Sequence, residues 1–540
     1  MNPNVRLLLS VLRRDRVQLL LWVLGISLLV LASASAVVNE FDTEEERRLI
    51  VAVAAANPAF RFLRASPAGI DVGSVFFFQG FTFIAVLAGL MSTFSVVRNT
   101  RAEEDTERAE LLAALPLSRR APLLVALTVA ALANLVLAAA IAGVLVLVGL
   151  DTTGSVLTGV TVGAVGLTFA GVAAVAAQVM PTARGANGVS AAAVGLSYVV
   201  RGIADALGEA NDDLTATSTT WLSWFSPIGW GQKVHPFGAD DPAPLLICLA
   251  AVVVLVGLAL GVRSRRDLGA SLVRERPGPA RASAFGRTAV GLAWRLQLPS
   301  LIGWAIGTGV LAAIAGTLAP TVAEAAEENT ALSGLLQRLG QGQGGDTLDI
   351  FVTAILGVCG VLAAGAGVHA VIRLHAEESS GRLESLLAGS LSRQAWMLGH
   401  TVVAVVSVTV VCLVAGAAAG IAFILAGADP DRFGSSLGAT LAQIPAALTL
   451  VGVVLVVFAV LPRITTALGW GVFVIALIFG QFGELLNLPE WLQDLSPFRH
   501  TSALPLEEFE PAPALLLAGI GIVAAGVALV AFRVRDIHLN

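Results

Sequence analysis

The sequence predicts an all-α polytopic membrane protein with about twelve transmembrane helices, arranged as two parallel six-helix repeats with pseudo-twofold symmetry. Three observations predict this class: the composition, twelve long apolar runs, and landmarks that recur in the second half. Of the 540 residues, 56% are hydrophobic and only 13% are charged, and the mean hydropathy is +0.83. Soluble domains carry about 25% charged residues. Lipid is therefore the expected main solvent, and the net charge of -5 gives no reason to expect a nucleic-acid partner.

Apolar runs of roughly 20 residues are long enough to cross the hydrocarbon core of a membrane as helices. The first half contains such runs at residues 17–38, 75–97, 122–150, 156–180, 186–207 and 243–262. The second half contains them at residues 301–322, 350–372, 397–426, 434–461, 465–486 and 513–532. Because each half has an even number of runs, both halves are expected to have the same orientation.

The distribution of arginine indicates which ends of the runs face the cytoplasm. With the N-terminus inside, most of the 33 Lys and Arg residues fall in cytoplasmic segments. The sequence thus predicts a multi-pass protein of the cell membrane with both termini cytoplasmic. The first run also resembles a cleavable signal peptide. However, its Trp22-x-x-Gly25 recurs in mid-chain as Trp304-x-x-Gly307, which favours a retained span.

The two halves share motifs in the same order. The matching pairs include Trp221-Leu-Ser-Trp-Phe-Ser-Pro227 with Trp491-Leu-Gln-Asp-Leu-Ser-Pro497, and Arg263-x-Arg-Arg-Asp267 with Arg533-x-Arg-Asp536. The sequence therefore predicts a first six-helix half at residues 1–263, a cytoplasmic linker at 264–299 and a second half at 300–540. The end of the linker is amphipathic, which predicts a helix on the inner membrane surface, with residues 5–14 as its counterpart.

A charged segment lies between the second and third runs of each half. The first charged segment, residues 103–119, reads EEDTERAELLAALPLSR, and the second charged segment, residues 377–393, reads EESSGRLESLLAGSLSR. Nine of the seventeen positions are identical. On a helix, leucines form one apolar face of each copy, namely Leu111, Leu112 and Leu115 in the first and Leu383, Leu386 and Leu387 in the second. The retained charges predict that both copies meet a similar surface.

The order of these motifs resembles the membrane subunits of type-2 ABC exporters, and more closely the fused twelve-span permeases of actinobacteria described as polyketide-antibiotic exporters. The resemblance covers the whole chain. It is carried by the Glu-Glu-x-x-x-Arg-x-Glu pattern of the charged segments, the Trp-Leu-x-x-x-Ser-Pro segments and the Arg-x-Arg-Asp ending. It implies a permease, not an enzyme, that exports a hydrophobic or amphipathic small molecule such as an antibiotic or drug.

The resemblance also implies that each charged segment is a coupling helix that docks on an ATP-binding subunit. The residues that match this role are Glu103, Glu104, Arg108, Glu110, Glu377, Glu378, Arg382 and Glu384. The sequence has no G-x-x-x-x-G-K-[ST] phosphate loop, and Lys233 is its only lysine. We therefore expect no cofactor on this chain, and ATP with Mg²⁺ on a separate ATP-binding subunit in two copies. The copies differ at Glu107 and Gly381, which predicts unequal coupling or two different ATPase chains.

By the same resemblance, spans two and five of each half line the translocation path, and the tryptophan segments form a re-entrant outer gate. The path residues are Phe77, Gln79, Phe81, Trp470 and Phe473, and the gate residues are Trp221, Trp224, Pro227, Trp491 and Pro497. Helix packing and interfacial anchoring of indole rings explain the same residues. The sequence does not indicate a ligand for the outer segments 39–74 and 325–349. The spacing of Cys and His predicts no metal site.

Two other functions fit parts of the pattern. A proton-driven twelve-span antiporter also has two parallel six-span halves. However, the charged segments are long and acidic, and the spans lack the central Asp or Glu that a proton relay would use. A membrane-embedded transferase would need clustered Asp, His or Lys at one membrane face, whereas the outer carboxylates form no recognisable pair. A lipid or peptide cargo stays open beside an antibiotic.

Overall fold

Helices build the protein in this computed structural model. The structure describes residues 3–536 except 115, 268, 274–280, 282, 329–346, 482 and 484–487. Within these residues, the strand-type pairing consists of two isolated β-bridges. Parts of the predicted linker, the predicted outer segment 325–349 and the end of the eleventh run thus lie outside the described residues.

The chain divides into two compact units, Met1–Pro277 and Gly278–Asn540. The helices of the first unit are α1 (Pro3–Glu40), α2 (Glu44–Ala56), α3 (Pro58–Leu63), α4 (Val72–Arg98), α5 (Arg101–Asp105), α6 (Arg108–Ala113), α7 (Ala121–Leu147), α8 (Thr152–Val179), α9 (Ala183–Ala206), α10 (Pro227–Gln232) and α11 (Ala243–Arg265). Those of the second unit are α12 (Ala289–Glu328), α13 (Thr347–Ser379), α14 (Arg382–Leu387), α15 (Arg393–Leu425), α16 (Asp431–Leu441), α17 (Ile444–Val460), α18 (Thr465–Gln481), α19 (Glu490–Gln493) and α20 (Pro511–Val534).

Twelve helical stretches of the described chain are long and apolar enough to cross a membrane. This confirms the predicted all-α, twelve-span class. The pseudo-twofold relation of the halves and the three predicted domain ranges stay predictions.

The first and seventh spans extend well beyond the membrane core. α1 has 38 residues and α12 has 40. At about 1.5 Å per residue, each is nearly twice as long as the hydrocarbon core is thick, about 30 Å. The stretch 5–14 and the amphipathic end of the linker were predicted as interfacial helices. Residues 5–14 form the first turns of α1, while the linker end divides between a 3₁₀ helix, Phe285–Arg287, and the first turns of α12. The helical part of each is thus continuous with the span that follows.

In the first unit, α4 and α8 are the most deeply buried spans. Phe76, Phe81 and Phe169 from these two helices lie in one core cluster. Glycines allow α8 to approach α7 closely. A Cβ on Gly159 would lie 2.3 Å from the carbonyl oxygen of Ala138, where no side chain fits.

In the second unit, α13 occupies the central place. Its Gly367 packs against α15 and α17, and a Cβ there would lie 2.5 Å from Val451 and 2.8 Å from Val408. All three helices contribute to one core cluster. The centre of each unit is therefore built from apolar and small residues of its second span and the spans around it.

The long outer segment of the first unit, residues 39–74, contains the helices α2 and α3. α2 begins with a capping box, in which the Glu46 amide donates to Thr43 Oγ1 at 3.3 Å and the Thr43 amide donates to the Glu46 carboxylate at 3.1 Å. The hydrogen bond from the Thr43 amide lowers the pKa of Glu46. This segment is therefore an ordered element of the first unit.

Candidate functional site

The two charged segments share a left-handed turn followed by a short helix. In the first segment the turn residue is Glu107, with φ 59°, and it separates α5 from α6. In the second segment it is Gly381, with φ 72°, between α13 and α14. The two residues occupy the same repeat position. The two copies therefore have the same local backbone turn despite their different side chains.

The leucine faces of the two copies meet different surroundings. Leu383 is 1% exposed, and Leu386 and Leu387 pack against the core of the second unit. Leu111 is 75% exposed. The Leu112 side chain and Leu115 lie outside the described residues. The second charged segment is thus held by apolar packing that Leu111 does not provide in the first.

The first glutamate of each charged segment is bound to arginine within its own unit. Glu103 accepts a hydrogen bond of 2.7 Å from Nη1 of Arg14 in α1. Glu377, whose side chain is 3% exposed, accepts from Nε of Arg382 at 2.9 Å and lies 3.2 Å from Nε of Arg373. Both carboxylates are therefore engaged before any partner arrives.

The second glutamate of each segment binds the arginine that follows the last span of the same unit. Glu104 accepts two hydrogen bonds of 2.6 Å from Nη2 of Arg266, and Glu378 accepts one from Nη2 of Arg535. Arg266 and Arg535 occupy the same place in the repeated Arg-Asp ending. Two motifs that are separate in the sequence thus form one ion pair in each unit, Glu104–Arg266 or Glu378–Arg535, which links the charged segment to the last span. We call this ion pair and its neighbouring arginine contacts the brace of the unit.

The brace of the first unit contains three arginines around one carboxylate. Glu104, with a 5% exposed side chain, also pairs with Nη1 of Arg101 at 2.8 Å and with Arg263. Burial lowers the pKa of Arg266, and the charge of Glu104 opposes that shift. Glu104 therefore offsets only part of the positive charge of the three arginines that surround it.

The brace of the second unit relies on other contacts of its arginine. Besides Glu378, Arg535 donates to the carbonyl of Phe458 at 2.7 Å. Its guanidinium carbon lies 5.2 Å from the ring centres of Phe458 and Phe532, within cation–π range. The position of Arg535 thus depends less on its carboxylate than that of Arg266 does.

The remaining predicted coupling residues face solvent. Arg108 and Glu110 are exposed in α6, and Arg382 and Glu384 are exposed in α14. These are the same two repeat positions in each half. The eight residues therefore separate into four glutamates that are held inside a unit (Glu103, Glu104, Glu377 and Glu378) and four exposed residues, of which Arg382 also pairs with Glu377.

Replacing Glu107 by glycine is expected to stabilise the protein by about 1 kcal/mol, because a residue with a Cβ is strained in the left-handed region and glycine is not. Gly381→Ala should destabilise it by a similar amount. Space is open around Gly381, so only backbone strain would act. Gly434→Ala is the control, since Gly434 lies in α16 with open space and no left-handed φ. Thermal unfolding in detergent measures all three, and equal midpoints for the two alanine variants would contradict the strain.

The predicted path residues lie in the packed interior of each unit. Phe77 and Phe81 are 5% and 0% exposed, with ring centres 4.5 Å apart. Gln79 accepts a hydrogen bond of 2.7 Å from Arg64 Nη1. In the second unit, Trp470 and Phe473 pack edge to face at 5.6 Å. These contacts are those of core residues, and a role in a substrate path stays a prediction.

The two tryptophan segments have the same construction. Trp221 and Trp491 are 72% and 71% exposed. In each segment the serine before the proline donates to a carbonyl of the fifth span, from Ser226 to Ser197 at 2.7 Å and from Ser496 to Ala476 at 2.9 Å. The exposed indoles suit the membrane interface. The repeated serine contact thus anchors both segments, while the outer-gate role stays a prediction.

The prolines of these segments begin short helices. Pro227 is the first residue of α10, and Pro497 begins a 3₁₀ helix, Pro497–His500.

The Lys233 ammonium lies 4.7 Å from the ring centre of Trp224, and burial lowers the pKa of Lys233. No group of three His, Cys, Asp or Glu side chains in the described chain could hold a metal.

One polar cluster of the first unit was missed by the sequence analysis. Arg201 and Asp205 of α9 are both 0% exposed and pair at 2.9 Å. Arg201 also donates to the carbonyls of Phe62 and Arg64, each at 2.7 Å, at the end of α3. Gln232 donates to Asp205 at 3.2 Å. The sequence feature that could have revealed this cluster is an Arg–Asp pair with i, i+4 spacing at the end of an apolar run.

Two comparisons with known proteins agree with this architecture. The family described as the C-terminal domain of the multidrug efflux system permease Rv1217c matches residues 287–533. The multidrug efflux system permease protein Rv1217c of Mycobacterium tuberculosis is 33% identical over 530 residues, which cover 98% of this chain and 94% of that protein. The resemblance to exporter permeases is thereby confirmed, and this chain belongs to the family of the multidrug efflux system permease Rv1217c.

Proposed function

We propose that this chain is the permease of an ATP-driven ABC exporter that carries a hydrophobic or amphipathic small molecule of the antibiotic or drug type out of the cell. Its family supports a transport role and not an enzymatic one. The name of the relative, a multidrug efflux permease, supports the class of cargo. ATP and Mg²⁺ belong to a separate ATP-binding subunit in this proposal, because the sequence has no phosphate loop.

The observation that carries the proposal is that each charged segment has both an exposed charged pair and a glutamate bound to the end of the last span. Each copy exposes the same Arg-x-Glu pair, while its second glutamate is bound to the arginine that follows the last span. A partner that pushes on the exposed pair would move the last span through this ion pair. Coupling of ATP hydrolysis to transport requires such a connection. Two equivalent exposed pairs favour two copies of the ATP-binding subunit.

In this proposal the charged segments and both termini lie on the cytoplasmic side of the cell membrane, where ATP is available. The excess of arginine in the segments on that side supports the orientation. The difference in bracing between Glu104 and Glu378 supports unequal coupling of the two halves.

Charge reversal at the exposed pairs tests the docking. The double variant Glu110→Arg, Glu384→Arg changes the exposed glutamate of each pair and is expected to reduce the co-purified ATP-binding subunit about tenfold, because close charge pairs at interfaces couple by about 1.5–7 kcal/mol. The measurement is affinity purification in mild detergent from cells that also express ATP-binding subunits of the same genome. The control is Glu490→Arg, an exposed glutamate of α19 outside the charged segments, which should leave co-purification unchanged.

The outcomes distinguish the proposal from its rivals. Undiminished co-purification of the double variant would move the docking site away from the exposed pairs. If no ATP-binding subunit accompanies the wild-type chain and transport follows the proton gradient, the protein is an antiporter and the proposal fails.

A further inference from the structure

A buried aspartate near the start of the first span lies at the centre of a polar cluster in the first unit. Asp15 of α1, with a 3% exposed side chain, lies 3.2 Å from Nε of Arg14 and 3.3 Å from Nε of Arg98. It also accepts a hydrogen bond of 2.7 Å from Nδ2 of Asn99, the residue that follows α4. Three partners around one buried carboxylate hold the whole cluster in a single arrangement.

Arg14 connects this cluster to the first charged segment. Its Nε faces Asp15, its Nη2 donates to Oδ1 of Asn99 at 2.5 Å, and its Nη1 donates to Glu103 at 2.7 Å. A guanidinium is a rigid planar fork, so fixing two of its nitrogens also fixes the direction of the third. Asp15 and Asn99 therefore orient Arg14 towards Glu103.

The second unit builds the corresponding place without these charges. In the register of the repeated Trp-x-x-Gly motif, Leu296 and Gln297 stand at the positions of Arg14 and Asp15. The amide nitrogen of Gln297 lies 2.8 Å from Nδ1 of His400 in α15. A leucine has no group that can bind a carboxylate. This position of α12 therefore cannot bind the second charged segment as α1 binds the first.

Glu377, the counterpart of Glu103, pairs with arginines that lie close to it in the chain. Arg373 stands one turn earlier on α13, and Arg382 is the first residue of α14. In the first unit, by contrast, one charged segment is joined to two distant spans. Glu103 joins it to the first span, and Glu104 joins it to the end of the last span.

We propose that Asp15 is a positioning residue for transport, which orients Arg14 so that movement of the first charged segment reaches the first span as well as the last. This inference rests on the proposed function, in which a partner moves the charged segments. The neighbouring glutamates Glu103 and Glu104 then divide one movement between two spans. α1 can respond because most of its apolar span is not buried inside the unit.

A double-mutant cycle tests the connection through Arg14. The full-length protein is co-purified with its ATP-binding subunit, reconstituted in proteoliposomes and assayed for ethidium efflux. Arg14→Gln and Glu103→Gln are each expected to lower efflux about fivefold, because each removes the same charge-assisted hydrogen bond. The double variant should fall no further than either single variant, since residues that act through one contact are not additive.

The role of Asp15 is read in the same assay. Asp15→Asn keeps the size of the side chain but removes the charge that orients Arg14, so efflux should fall about threefold. Combined with Arg14→Gln, it should give the efflux of Arg14→Gln alone. The control is Arg13→Gln, which removes an exposed arginine one position earlier on α1 and should leave efflux unchanged.

ATP hydrolysis separates positioning from a loss of folded protein. The co-purified subunit should hydrolyse ATP at the wild-type rate in Arg14→Gln while efflux falls, whereas a misfolded permease would lose both activities. Wild-type efflux in Arg14→Gln, an equal fall of hydrolysis and efflux, or single effects that multiply in the double variant would overturn the inference. A wild-type chain with no ATP-binding subunit would instead defeat the proposed function, and this inference with it.

Discussion

Replacement of Arg201 by methionine is expected to remove most of the folded protein. The guanidinium is 0% exposed and binds Asp205 and the carbonyls of Phe62 and Arg64. Removing one partner of a buried ion pair costs about 3–5 kcal/mol, because the other charge stays buried without compensation. Domains are stable by only about 5–15 kcal/mol in total. Size-exclusion chromatography of a fluorescent fusion in detergent measures the loss as a reduced monodisperse peak.

Two variants separate this network from a general effect of substitution. Asp205→Asn leaves the guanidinium of Arg201 bound to two backbone carbonyls and keeps an oxygen that accepts from it, so we expect a smaller loss than for Arg201→Met. Arg184→Met changes an exposed arginine of the same helix, α9, and should leave the peak unchanged. A wild-type peak and melting temperature for Arg201→Met would show that the buried pair does not hold α3 and α9 together.

Replacement of Glu104 by alanine is expected to abolish most transport. It leaves Arg101, Arg263 and Arg266 close together without their shared carboxylate. The uncompensated charge costs about 3–5 kcal/mol and releases the first charged segment from the last span of its unit. Efflux of a fluorescent hydrophobic dye such as ethidium from cells should fall about tenfold or more, since tenfold corresponds to about 1.4 kcal/mol. Membrane levels of the protein are measured in parallel.

The matched variant is Glu378→Ala in the second unit. Arg535 would keep its bond to the Phe458 carbonyl and its contacts with two phenylalanine rings, so the second brace should weaken less. We therefore expect dye efflux to fall less for Glu378→Ala than for Glu104→Ala. Glu104→Gln should lie between, because the amide oxygen still accepts hydrogen bonds. Equal efflux for wild type and Glu104→Ala would show that the brace of the first unit is not needed for coupling.

Much of the fold followed from local features of the sequence. The twelve spans were found because apolar length is a property of contiguous residues, and all twelve occur as helical stretches, the tenth as the two helices α16 and α17. The repeated motifs also marked corresponding places in the two halves. The difference between Glu107 and Gly381 was visible in the sequence, but its meaning was not. Both residues adopt the same left-handed turn, which only the backbone angles reveal.

The candidate site depended on contacts between distant residues. Glu104 and Arg266 are 162 positions apart, and Glu378 and Arg535 are 157 apart. No periodicity reports such a pairing, so the sequence assigned all eight charged residues to one docking surface. The structure separates the buried glutamates from the exposed Arg-x-Glu pairs. In contrast, the i, i+4 spacing of Arg201 and Asp205 is visible in the sequence, but the sequence does not show that the pair is buried.

The sequence by itself determined the helical class, the number of spans and the two places where a charged segment recurs, because hydrophobicity and charge act over neighbouring residues. The tertiary structure decided which of those charges are buried and which are exposed. A buried carboxylate destabilises a protein unless it is paired, and Arg266 and Arg535, which pair with Glu104 and Glu378, come from the last span of each unit. That choice depends on how the helices of a unit pack, which no stretch of the chain specifies alone.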